Sequence, residues 1–291
     1  MFISKLLNPK NDYTFKRIFG RVGNEKITKS FLEAVTKEKI KDITLDCNPI
    51  TEKNLFDDKV GILDIKAKLD NNINCNIEMQ VVDKKNIEKR ILFYWSKMYT
   101  SSIKEGDDYE DLEKSIVILI TNYNLENLNK IKKYITKWNI REETCQLILT
   151  DVLEIYIIEL DKARKDISSS ELNAWLNFIN NPEEKPKMDE SKELKEARKI
   201  LQDMSKSKHE RYLAELREKY IMDQNAVRAA GYDKGLEQGL QQGIQQGLKQ
   251  GLQQGMQKKE FQIAKKMKEK NIEISDIIEI TGLTKEDIDK L

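Results

Sequence analysis

From residue 11 the apolar positions recur at three- and four-residue spacing, as Phe15, Ile18, Phe19 and Val22 and then Ile27, Phe31, Leu32 and Val35. That is the stripe of two successive amphipathic helices between residues 11 and 36. The pattern then changes to strand-like runs in IKDITLDC, VGILDIKAKL (60–69) and NCNIEMQVV. An amphipathic helix follows from about Asp83 to Lys104, with Ile87, Ile91, Tyr94 and Met98 along its apolar side. The run SIVILIT (115–121) reads as a buried strand, and CQLILT (145–150) and LEIYIIEL (153–160) supply two further strand candidates. Strands and helices interleaved in this way predict an α/β domain with a central mixed sheet flanked by helices. Ser170 or a neighbour caps a short helix ending near Pro182.

Beyond that point the composition changes, dividing the chain into a domain over 1–182, a charged helical segment over 183–230, a repeat over 231–258 and a small helical unit over 259–291 with a turn at Gly282. In the repeat, glycine stands at 231, 235, 239, 243, 247, 251 and 255, every fourth residue, among glutamines. Seven glycines inside a helix cost about 1 kcal/mol each relative to alanine, so an isolated helix needs compensation. A four-residue period exceeds 3.6, so the stripe drifts and favours right-handed crossing, with Leu236, Leu240, Ile244, Leu248 and Leu252 beside it. The expectation is a homo-oligomer joined through this helix; a flexible glycine–glutamine linker is the alternative. The glutamines between the glycines exclude a membrane span. The final 30 or so residues, rich in acids, fit a capping unit better than a helix-turn-helix reader of DNA.

Composition narrows the chemistry. The chain carries 51 basic and 50 acidic residues, so any surface for a polyanion must be local. Cys47, Cys75 and Cys145 are widely spaced and form neither a disulfide framework nor a zinc motif, which suits a reducing cytoplasm. The N-terminal residues lack the apolar core of a signal segment, and no run approaches the length of a membrane span. The single histidine, His209, sits in the charged segment KSKHERYLAELREKY, where a solvated helix position is expected. Triads, cysteine–histidine pairs and HExxH zinc sites all need histidine beside their other members. An enzyme built from this chain relies on carboxylates.

One hairpin offers them. In VGILDIKAKL, Leu63, Ile65, Ala67 and Leu69 share an apolar face, leaving Ile62, Asp64, Lys66 and Lys68 on the other. In the next strand Cys75, Ile77, Met79 and Val81 are apolar, and Asn76, Glu78 and Gln80 oppose them. A three-residue turn of Asp70, Asn71 and Asn72, with Asn72 left-handed, pairs Leu69 with Ile73 and sets Asp64 across from Glu78. Two carboxylates with Cβ atoms about 4.5 to 5.5 Å apart repel unless a cation lies between them. Mg²⁺, with Mn²⁺ as the alternative, suits such oxygen ligands and would activate water against a phosphodiester. Both side chains leave the core side of the hairpin, so truncating either is expected to cost little stability. The competing reading is a merely solvated polar face. Between Lys84 and Lys104 six basic residues, Lys84, Lys85, Lys89, Arg90, Lys97 and Lys104, stand against one acid, Glu88, which suits contact with a DNA backbone. A solvated helix face is again the alternative.

NDYTFKRIF (11–19), VGILDIKAKL (60–69), NIEMQVV (76–82) and RILFYWSKMY (90–99), with IYIIEL and AWLNFI further on, resemble the Rpn family of recombination-promoting, transposase-related nucleases. This family is a branch of the PD-(D/E)XK nuclease superfamily, and the resemblance covers roughly residues 8 to 180. It implies a restriction-endonuclease-like core followed by a helical C-terminal extension, and a magnesium-dependent DNA endonuclease activity. The motif aspartate falls on Asp64 and the (D/E)xK element on Glu78, Met79 and Gln80. Glutamine thus stands where the superfamily has lysine; an amide orients water or phosphate but brings no charge, and Lys66 and Lys68 on the face of Asp64 are the candidates to supply it. Asp12 and Lys16 match the family's N-terminal motif, with helix capping the simplest role for Asp12. The alternative function is a catalytically inactive DNA-binding or assembly protein that keeps the nuclease fold.

Overall fold

The computed structural model describes residues 5–46, 65–70, 72–81, 86–164, 170–184 and 189–291. Helices α1 (Asp12–Phe19) and α2 (Glu25–Thr36) precede strands β1 (Ile43–Asp46), β2 (Ile65–Leu69) and β3 (Ile73–Gln80). Then come α3 (Ile87–Thr100), β4 (Lys114–Thr121), β5 (Ile135–Trp138), β6 (Leu153–Glu159), α4 (Leu160–Ala163) and α5 (Glu171–Asn180). The chain closes with α6 (Lys192–Lys206), α7 (Lys208–Glu269), α8 (Ile274–Thr281) and α9 (Lys285–Asp289).

The six strands form one mixed sheet in the order β1-β2-β3-β4-β6-β5. Strand β2 is antiparallel to both β1 and β3, strands β3, β4 and β6 run parallel, and β5 returns antiparallel on β6. Parallel neighbours demand crossover connections, and those crossovers cover both faces of the sheet. Alternation along each inner strand therefore feeds two cores. Ile116, Ile118 and Ile120 of β4 and Tyr156 and Ile158 of β6 point into one, with Cys75, Ile77 and Met79 of β3. Val117, Leu119, Ile155 and Ile157 point into the other, where Ile87 and Ile91 of α3 cover them.

The larger core is aromatic at its centre: Phe19 lies 4.6 Å from Phe15 and 5.5 Å from Trp175, and Trp175 meets Phe31 at 6.0 Å, ring centre to ring centre. Leu194, Ala197, Leu201, Leu213 and Ala214 belong to the same core, so α6 and the start of α7 are built into the unit that α1, α2 and α5 form. This unit extends to Asn225. Gly20, which ends α1, permits a close approach: a Cβ there would lie 2.9 Å from Cγ1 of Ile65 and from the Lys16 carbonyl oxygen. The first helix is thereby seated against β2.

Two local expectations are corrected. CQLILT forms no strand; its only ladder contact is an isolated bridge between Arg141 and Ile148, and Leu147 and Leu149 are exposed. The strand that pairs with β6 is Ile135–Trp138, too short and too basic for its pattern to stand out. At the start of α1 the cap is Asn11, whose side chain accepts from the Tyr13 and Thr14 amides. Asp12 is the first residue of the helix and has a different role. Its carboxylate, buried, receives Arg217 of α7 through Nε at 3.0 Å and Nη2 at 2.6 Å. Alongside, Glu210 of α7 accepts from Tyr13 and Arg17 of α1. Burial opposes ionisation of Glu210, but those bonds outweigh it and hold its carboxyl below the usual carboxylate range.

The second unit, 226–291, has its own small core. Every residue from Ala226 to Lys259 is exposed. The last turns of α7 then meet α8 and α9 around Ala264, Ile277, Leu283 and Ile288. Gly282 takes a left-handed φ of 70° and donates to the Ile278 carbonyl, which ends α8 at the turn expected from the sequence. Thr284 and Asp287 form a capping box that starts α9.

Removing one member of the Asp12–Arg217 pair strands the other charge in the core. Asp12→Ala or Arg217→Ala is expected to cost about 3–5 kcal/mol, whereas Asp12→Leu combined with Arg217→Met costs less than either. Urea denaturation of the three variants checks the order, and additive losses in the double variant would refute the pairing.

Candidate active site

The site is organised by β3 and its antiparallel partner. Leu69 pairs with Ile73 and the register runs on through Lys66–Asn76 to Ile65–Ile77, as the turn length predicts. A left-handed residue of the turn is Asp70, with φ 51°, a role that the sequence pattern assigned to Asn72. Asp70 also fastens β2 to the preceding segment, its carboxylate accepting from the amides of Lys41 and Asp42. These bonds hold its carboxyl below the usual range. The expected position of Asp64 opposite Glu78 lies outside the described residues, as do Lys84 and Lys85.

Asn76, Glu78 and Gln80 alternate with Cys75, Ile77 and Met79 along β3, and all six are buried. The polar face is therefore not solvated; only 5% of Glu78 and 6% of Gln80 remain exposed. Its cover is α3, whose Ile87 and Ile91 fix the helix on the neighbouring strands β4 and β6. Asn86 before it adopts a left-handed conformation, φ 62°, that turns the chain into the helix. From this helix Arg90 reaches down and donates through Nη2 to Oε1 of Glu78 at 2.8 Å. Tyr94, one turn on, lies beneath the same guanidinium, 5.2 Å from its carbon to the ring centre.

The other sequence-selected residues fall in distinct places. Lys66 is exposed on β2, directly across from Asn76. Lys89 and Lys97 are exposed on α3, while Arg90, grouped with them as a phosphate contact, is turned inward onto Glu78. Lys16 is buried on α1, its Cγ close to Gly20, which abuts Ile65. Trp95 is a packing residue, stacked 4.9 Å from Tyr99 and donating its indole N–H to the Ser115 carbonyl. His209 is exposed, as its charged surroundings suggested. Cys75 faces the apolar core and burial pushes its thiol up to about 12, which removes it as a nucleophile. Among the described residues no three histidine, cysteine or acidic side chains converge on a point that could hold a metal. Of the residues that the sequence pattern assigns to the site, Glu78 and Gln80 are described and bring a carboxylate and an amide oxygen to one face of β3.

Sequence reasoning missed the partners of Glu78 and Asp12. Neither the twelve-residue step from Glu78 to Arg90 nor the 205-residue step from Asp12 to Arg217 has a local signal. Arg90 overturns one expectation in particular: truncating Glu78 leaves a guanidinium without this carboxylate partner, so it costs stability.

The architecture, an antiparallel hairpin whose second strand runs parallel to β4 in a mixed sheet flanked by helices, is consistent with a restriction-endonuclease-like fold. The family model for PD-(D/E)XK nuclease family transposases matches residues 9–231, most of the chain. The chain belongs to this family. No curated protein and no solved structure matches it. Nucleases of the PD-(D/E)XK superfamily generally use divalent metal ions, and among the described residues no helix is long and apolar enough to cross a membrane.

Arg90→Met takes the guanidinium away from a carboxylate that has little access to water. With Arg90 a fifth exposed, the expected loss is toward the lower end of about 3–5 kcal/mol. Adding Glu78→Gln to that variant recovers part of it. Melting curves for the double-mutant cycle measure the coupling, and a value near zero would show that the salt bridge contributes nothing.

Proposed function

We propose that this protein is a magnesium-dependent DNA endonuclease, hydrolysing phosphodiesters in support of recombination, with Asp64, Glu78 and Gln80 as its reactive centre. The observation that carries the reading is the burial of Asn76, Glu78 and Gln80 beneath α3. A strand face turned to a helical layer is ordinarily apolar, as Val117 and Leu119 of β4 and Ile155 and Ile157 of β6 are on the neighbouring stretch of this face. Placing an amide, a carboxylate and another amide there is costly unless those groups are held for use.

The donor chemistry fits a hard divalent cation. Glu78 and Asp64 would bind it, and the Gln80 amide adds a neutral oxygen. When bound, the cation neutralises phosphate charge and promotes the attack of water on phosphorus. The residues of the chain then have separable parts. Glu78, fixed by β3 and by Arg90, presents its carboxylate from a rigid strand; Gln80 orients a phosphate oxygen or water; Lys66, exposed on β2 beside this face, supplies the positive charge that glutamine lacks at position 80. Lys84, Lys85, Lys89 and Lys97 provide phosphate contacts along α3 and the segment before it.

The Arg90–Glu78 bond also favours a second reading, a DNA-binding or assembly protein without catalysis, because a guanidinium already neutralises the carboxylate that would bind the cation. Nicking of supercoiled plasmid, with Mg²⁺ and with EDTA, separates the two. Wild type is expected to nick only with Mg²⁺, Asp64→Ala and Glu78→Gln to lose at least 100-fold (about 2.7 kcal/mol in the barrier), and Gln80→Lys to retain or gain activity. Equal cutting by Asp64→Ala, undiminished in EDTA, would remove the assigned site.

We also propose that α7 joins copies of this chain. Leu236, Leu240, Ile244, Leu248 and Leu252 are each 60–65% exposed, and a Cβ on any of the seven repeat glycines would meet nothing within 4 Å. A helix that bears the cost of seven glycines and buries none of these side chains gains stability by laying its glycine groove against a second copy. Light scattering is expected to show an oligomer for the full chain and a smaller species for a chain ending at Asn225; identical states reject the role of the tail.

A further inference from the structure

A cleft of about 710 Å³ opens between α3 and the polar side of β1, β2 and β3. Its walls include Lys66 and Lys68 of β2, Asn76 of β3, and Tyr94 and Lys97 of α3. Asn76 precedes Glu78 by two residues on the same strand face, about 7 Å away along β3. The cleft thus continues from the candidate reactive carboxylate along the polar face of the sheet.

Its chemistry is that of a nucleotide site. Lys68 is held by Glu113 at 2.7 Å, but among the described residues Lys66 and Lys97 form no ion pair, and both are exposed. They stand on opposite walls, one on the sheet and one on the helix. On the helix wall the Tyr94 ring also lines the cavity, beneath the Arg90 guanidinium, whose charge is met by Glu78. Asn76 is 7% exposed, and among the described residues its Oδ1 has no hydrogen-bond partner. Native interiors seldom leave a buried acceptor unmatched.

Size selects the form of nucleic acid. The cavity falls in the range of small-ligand sites, about 300–1,000 Å³, whereas a duplex presents a major groove about 12 Å wide and its bases are stacked away from protein rings. A single strand can enter between helix and sheet, put a phosphate on each lysine and turn a base onto an aromatic ring. Asn76 Oδ1 is an acceptor, so it matches the exocyclic amine of cytosine or adenine, a group that thymine lacks and replaces only with its ring N3–H. We propose that this cleft is a single-stranded nucleic-acid subsite, in which Lys66 and Lys97 hold the backbone, Tyr94 stacks a base and Asn76 reads its amine. This rests on the reading of the chain as a protein that acts on DNA, and it specifies the substrate as a strand that is single or locally opened beside the cleavage point.

Fluorescence anisotropy of the full-length protein with labelled oligo-dC, oligo-dT and a blunt duplex, in EDTA to prevent cleavage, tests it. Oligo-dC is expected to bind more tightly than oligo-dT, and both more tightly than duplex. Tyr94→Ala should weaken single-strand binding by at least about five-fold while Tyr94→Phe keeps it. Lys97→Ala, an exposed substitution that leaves the fold in place, should flatten the log–log salt dependence by about 0.7. Duplex binding as tight as single-strand binding, or unchanged binding by both Tyr94→Ala and Lys97→Ala, overturns the subsite. Equal affinity for oligo-dC and oligo-dT overturns the role of Asn76. Absence of plasmid nicking with single-strand preference intact refutes the endonuclease reading alone, and nicking without that preference refutes this one alone.

Discussion

The rest of the structure depends on the two-sided burial of β3. Antiparallel to β2 and parallel to β4, the strand has a layer of helices on each face, and its alternate residues are committed to opposite layers by the pleat. On one side this is met in the ordinary way by Cys75, Ile77 and Met79. On the other the chain places Asn76, Glu78 and Gln80. Once they are there, α3 cannot be an indifferent cover: it must bring a cation to Glu78 and leave space beside Asn76, and it does both with Arg90 and with the cleft at Tyr94. A one-residue slip of register would exchange the two faces of β2 or β3, so the turn at Asp70 protects the site as well as the core.

The family's N-terminal motif acquires a physical meaning in the same way. Asp12, whose simplest role on sequence grounds is helix capping, is instead the anchor for α7 through Arg217. Gly20 at the other end of α1 makes the contact to β2. One short helix thus ties the beginning of the sheet to a helix near the end of the core, and motif residues can be kept for that linkage alone.

Much of this was legible in the chain. Period-two alternation and turn length gave the β2–β3 register, period-3.6 stripes gave α1, α2, α3 and α5, and glycine gave the end of α8, because each is decided by neighbours within a few residues. Pattern alone left the polar face of β3 between a solvated surface and a functional one. Burial excludes the solvated surface, and burial depends on where α3 returns. The pairs Arg90–Glu78 and Arg217–Asp12 were illegible for the same reason: charge spacing reports partners on one helix face, not partners that only the crossover connection brings together. Strand β5 was missed because four residues at a sheet edge, one wall of them open to water, carry too few apolar positions to show a period.

The Asp12–Arg217 bond also has a temporal side. Its partners are separated by 205 residues, and at about 5–20 residues per second the ribosome needs on the order of ten to forty seconds to make the second after the first. For that interval α1 carries a carboxylate meant for the interior with no guanidinium to meet it, and Tyr13 and Arg17 wait likewise for Glu210. The nascent N-terminal half is then an incomplete core with aromatic side chains uncovered, dependent on the late helix to close it. A chain cut short before Arg217 would persist in that state, a substrate for chaperones and proteases in place of a folded protein.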